Sequence, residues 1–242
     1  MTEQVVPPAG LRVPRWGLGD VAVTLLGAIV IGNILVLALL PDTSAPTFYA
    51  TARDAWAALV VLMGPWVALA GWPLFVTRWR GNGPVQDLAL RTSWRSAGLG
   101  LAFGVAGLVS AYLLVAVQQA ITHEELSSRA ADVAHDLVAP APAALALFAL
   151  ATAFGAPVVE EIAFRGLTYG AFVKRGVPPL WSVLATAVLF ALFHFEPQRV
   201  LVLAVLGIWI GAVRAVTGST TASMVAHMAV NVPGAIGILL VH

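Results

Sequence analysis

Seven long apolar runs dominate this chain of 242 residues, at approximately 21–40, 55–76, 97–117, 143–173, 179–195, 200–216 and 220–241. Their lengths are those of helices that cross a bilayer, whereas a membrane barrel strand needs only ~9–11 alternating residues. In hydrocarbon every backbone N–H and C=O must be satisfied within the protein, so runs of this kind become helices. The chain is 60% hydrophobic and 10% charged, against roughly 25% charged residues in soluble domains. The predicted fold is an all-α membrane protein, a polytopic bundle of seven to eight transmembrane helices. The eighth would arise at Pro157. This proline removes a backbone donor inside the long run 143–173, so a kink or break is expected there.

The formal net charge of +1 makes no case for nucleic acid, and the absence of cysteine excludes disulfides, thiolate metal sites and a cysteine nucleophile. Residues 1–19 are polar and read as a cytoplasmic N-terminal segment, followed by a single transmembrane domain over 20–242. The first apolar run is too long for the core of a cleaved signal peptide, so it is read as a retained helix. If seven spans alternate, Arg12, Arg15, Arg78, Arg80, Arg91, Arg95, Lys174, Arg175 and Arg214 share one side. Arg53, Arg129 and Arg199 fall on the other. Nine against three places the N-terminus in the cytoplasm. Gly100 and Gly104, like Gly207 and Gly211, are small pairs at the spacing that suits close helix packing. Ordinary membrane-helix glycine is an equal reading.

Glu160 and Glu161 stand side by side within the fourth run. Ionisable groups at bilayer depth are costly and usually functional. The fifth run carries His194, and the seventh carries His227 and Asn231. The turn at 174–178 joins the fourth and fifth runs as a hairpin. Glu160 and His194 each lie roughly 20 Å from that turn, hence at one depth. His227 and Asn231 lie roughly 10 and 16 Å into the seventh run from the same side. The pairs Glu161 and Arg165, Phe190 and His194, and His227 and Asn231 are each spaced i,i+4, which puts each pair on one helix face. Blander roles compete. Glu161 with Arg165 would serve equally as a neutralised pair, Asn231 as helix glue and Phe190 as packing. His123, His135 and His242 read as solvated, and Glu196, Arg199 and Arg214 as interface residues.

The pattern Glu160-Glu161-x-x-x-Arg165, Phe190-x-x-x-His194 and His227-x-x-x-Asn231, in order on separate helices, resembles the CAAX prenyl protease and bacteriocin-processing (CPBP) family. This is also called the Abi family of intramembrane endopeptidases. The stretch Asp87-Leu88-Ala89-Leu90-Arg91 looks like the family's acidic-Leu-Gly-Leu-Arg segment, with Ala89 in place of glycine. The resemblance covers about 145–242, and implies a CAAX-protease-like bundle with its catalytic core at about 143–242. It further implies cleavage of peptide bonds near or within the membrane, on a membrane-associated or lipidated protein or peptide. Many bacterial members act in bacteriocin immunity or peptide processing, so a bacterial cytoplasmic membrane is the expected setting.

Hydrolysis of an amide needs a base for the water and donors for the oxyanion. Glu160 is the expected base. His194 would hold the same water or protonate the leaving amine. His227 and Asn231 would stabilise the oxyanion, and Arg165 would anchor Glu161. No cofactor is favoured. Zinc held by Glu160, His194 and His227 is the alternative, since two imidazoles and a carboxylate form a catalytic zinc set. Rival classes are a transporter or proton relay and a non-catalytic immunity protein. Sidedness is open as well. The arginine count puts the site in the outer half, whereas a CAAX-type site faces the cytosol. Either a break near Pro157 shifts the topology, or the substrate comes from outside.

Overall fold

The computed structural model describes residues 13–40, 50–124 and 126–240. Arg12, Glu125 and His242 lie outside the described residues. Seven apolar helical runs follow one another: α1 Leu18–Leu39, α2 Ala52–Arg80, α3 Trp94–Thr122, α4 Pro142–Lys174, α5 Pro179–Phe193, α6 Val200–Thr217 and α7 Thr220–Leu240. Among the described residues six are long and apolar enough to cross a membrane, while α5 is a shorter apolar helix of 15 residues. The chain is thus an integral, multi-pass helical protein.

The break anticipated at Pro157 does not occur. Helix α4 runs on for 33 residues, and π-helical turns at Ala151–Gly155 and Ile162–Thr168 widen it instead. Just before the proline, the Ala156 N–H reaches back five residues to the Ala151 carbonyl. A proline ring collides with the carbonyl four residues back in a regular α-helix. The wider turn relieves that conflict without ending the helix.

The acidic connection between α3 and α4 is partly helical among its described residues. It forms a short helix, Arg129–Val133, continued by a π turn, Ala134–Val138. Ala134, Leu137 and Val138 bury against Ala55, Ala58 and Leu59 of α2 and Phe148 of α4.

The glycine pairs prove to be points of close helix approach. A Cβ on Gly100 would stand 2.4 Å from the Ala222 carbonyl oxygen of α7, and one on Gly104 would stand 2.4 Å from that of Ala226. Gly207 of α6 meets Ala187 of α5 in the same way, with 3.0 Å to its Cα. Gly98, on the same helix as Gly104, has nothing within 4 Å of its Cβ position. Gly104→Ala is therefore expected to destabilise by about 1–3 kcal/mol, because the obstacle is backbone and the helices must part. Gly98→Ala should leave stability unchanged or raise it by about 0.5–1 kcal/mol through helix propensity. Thermal unfolding of the two variants in detergent checks the contrast.

At one end of the bundle the elements are laced together. The Trp16 indole donates to Asp87 at 2.8 Å, Asp20 pairs with Arg80, and Lys174 donates to the Pro14 and Trp16 carbonyls. The Thr220 N–H donates to the Ala89 carbonyl at 2.9 Å, and the Thr221 hydroxyl to that of Leu90. Ala89 adopts φ 52°, the left-handed region that costs a residue with a Cβ roughly 1–2 kcal/mol. This accounts for glycine at that position in the related motif.

Candidate active site

The two adjacent glutamates have different surroundings. Glu161 is wholly buried, as is Arg165. Arg165 donates from Nη1 to Glu161 Oε1 at 2.9 Å and from Nη2 to the Gly207 carbonyl of α6 at 2.8 Å. The guanidinium therefore does not grip the carboxylate with both arms. It ties α4 to α6, and its Cζ sits 4.8 Å from the centre of the Phe190 ring of α5. Glu161 Oε1 also accepts from His227 Nδ1 of α7 at 2.9 Å. One carboxylate oxygen thus meets both Arg165 and His227, and joins α4 to α7.

Glu160 faces a cavity of about 430 Å³, which is also lined by Phe190, His194, His227 and Asn231. Its side chain retains 18% exposure, and its Oε2 lies 3.9 Å from His227 Nε2. The two imidazoles have fixed orientations. His194, the residue that caps the C-terminus of α5, holds its Nδ1 2.7 Å from the Phe190 carbonyl. A carbonyl only accepts, so Nδ1 carries the proton and Nε2 is left as an acceptor. His227 Nδ1 likewise donates to Glu161, leaving Nε2 for the cavity. Asn231 gives one amide N–H to the Thr152 carbonyl at 2.9 Å and keeps the second.

Phe190 is the packing centre anticipated for it, and more. Its ring lies 4.5 Å from that of His194 and 5.6 Å from that of His227, centre to centre. It separates the Arg165 guanidinium from the cavity while setting both imidazole planes. The helical spacing of Glu161 with Arg165 was legible in sequence. The link from Glu161 to His227 was not, because it joins residues 66 positions apart.

The three residues read as interface residues also have partners within the protein. Glu196 and Arg199 line the cavity and pair at 3.0 Å. Arg214 is half-buried, donates to the Arg165 carbonyl at 3.2 Å and lies over the Tyr169 ring. It supports the π turn that carries Arg165. A short hydrophilic run between apolar segments looks the same whether it meets water or a cavity mouth.

Glu160, His194 and His227 have the donor chemistry of a zinc site. Among the described residues, however, no three His, Asp or Glu side chains cluster closely enough to hold one ion. As arranged, the set does not fit a common metal.

Residues 142–233 match the Rce1-like family model, described as type II CAAX prenyl endopeptidase Rce1-like. The resemblance carried by the three motifs is borne out over that stretch, which holds every residue of the candidate site. No curated protein and no solved structure matches the chain.

Proposed function

We propose that this chain, whose residues 142–233 carry the Rce1-like endopeptidase pattern, hydrolyses a peptide bond of a membrane-associated or lipidated polypeptide through water activated by Glu160. The observation that carries this reading is the asymmetry of the two glutamates. Glu161 is buried with its Oε1 held by both Arg165 and His227, whereas Glu160 lines the cavity.

The chemistry follows from the hydrogen-bond roles already described. Glu160 accepts one proton of a water, and His194 Nε2 accepts a hydrogen bond from the other O–H. The water oxygen adds to the carbonyl carbon. The free amide N–H of Asn231 donates to the developing oxyanion. His227, held through Nδ1 by Glu161, turns its Nε2 toward the same cavity, 3.9 Å from Glu160. The C–N bond then breaks, and the proton held by Glu160 passes to the leaving amine. Such a site needs its donors fixed before the charge develops, and the web of Glu161, Arg165 and Phe190 does this.

The test is cleavage of a library of membrane-anchored peptides by purified protein in proteoliposomes. His194→Ala is expected to lower turnover by about 10²–10⁴-fold, the usual weight of a positioned acid–base group. Turnover within a few-fold of the parent would remove His194 from the reaction. A transporter would instead cleave nothing and move an ion.

A further inference from the structure

We infer that the site takes its substrate from the non-cytoplasmic side of the membrane: an anchored polypeptide whose cleaved stretch is exported, rather than a cytosolic C-terminus. The word substrate rests on the endopeptidase reading, but the direction of access does not.

The two ends of the bundle are built differently. Hydrogen bonds gather residues 14–20, 80–91, 174 and 220–221 at one end. That end is sealed beneath the site. Leu88 is fully buried in one cluster with Trp16, Val76, Ile162, Leu167 and Met224, so among the described residues this end is packed with apolar side chains. The opposite end holds residues 118 and 198, joined by the Gln118 side chain and the Gln198 carbonyl. The cavity runs toward this end. Beyond Glu160 and His227 its lining passes to Glu196 and Arg199 in the α5–α6 connection and to the exposed Ala131.

Charge then says which end is which. Of the described arginines and lysines other than Arg165, Arg15, Arg78, Arg80, Arg91, Arg95, Lys174, Arg175 and Arg214 lie at the sealed end, and Arg53, Arg129 and Arg199 at the open end. Short connections rich in arginine and lysine stay in the cytoplasm. Only a break in α4 would have reversed this assignment for the second half of the chain, and α4 is continuous past Pro157. The sealed end is cytoplasmic and the mouth is external.

The chain has no cysteine, so single cysteines report without background. Ala131→Cys and Gln198→Cys mark the mouth, and Thr92→Cys marks the sealed end. Each is produced in intact bacterial cells in a Glu160→Gln background and treated with a membrane-impermeant maleimide. Both mouth positions should react in intact cells at least ~10-fold faster than Thr92→Cys, which should react fully only after permeabilisation. Two mouth positions guard against one variant failing to fold. The reverse pattern, or equal labelling of both ends, overturns the inference. The labelling needs no catalysis, so it stands or falls apart from peptide cleavage. Absence of cleavage alone would fault only the endopeptidase reading.

Discussion

Glu160→Gln is expected to lower peptide cleavage by at least ~100-fold while leaving expression and thermal stability near those of the parent. The amide keeps the shape of the carboxylate and removes its basicity, and a positioned general base is worth about 10²–10⁴-fold. Stability should hold because Glu160 makes no close ion pair. Its nearest charged-group contact is His227 Nε2 at 3.9 Å, and it borders the cavity rather than the core. The same substitution at Glu161 should behave differently, because that oxygen orients His227 and meets Arg165 in a fully buried setting. Near-parental turnover of Glu160→Gln would assign the base elsewhere. A scaffold or immunity protein without catalysis would tolerate the substitution in any assay of its biological role.

Removing one member of the buried pair is expected to be the most damaging change to the fold. Arg165→Met leaves the Glu161 carboxylate with only His227. Glu161→Gln leaves a guanidinium with no counter-charge in direct contact. Stranding a buried charge costs about 3–5 kcal/mol, whereas replacing both partners by groups of similar volume costs far less. The Arg165 effect should exceed that of pairing alone, since its other arm holds the Gly207 carbonyl and its face covers Phe190. A double-mutant cycle on thermal unfolding in detergent should therefore give a double variant more stable than the sum of the single losses. Simple additivity would mean that the two residues act independently.

Much of this was readable because membrane helices advertise themselves. Each apolar run in the sequence became a helix, and the i,i+4 spacings put Glu161 beside Arg165 and His194 against Phe190. The GxxxG-type spacing suggested close helix packing at Gly104, and the structure sets that glycine against Ala226. Three things were not readable. The π turns around Glu160 and Arg165 leave no mark in hydropathy, which averages over a turn, so Pro157 suggested a break that a widened turn prevents. Partners drawn from different helices, such as Glu161 with His227 and Arg165 with Gly207, depend on rotation about each helix axis. Glu196 and Arg199 sit where a loop folds over a cavity, and composition alone does not separate that from water.

Cleavage by purified protein after exhaustive chelation, measured beside its metal content, probes the proposed chemistry most directly. Turnover should persist in metal-free protein and vanish in Glu160→Gln, because water is activated by the carboxylate rather than by an ion. Turnover that stops on chelation and returns with stoichiometric zinc would mean that Glu160, His194 and His227 close around a metal, and would contradict it.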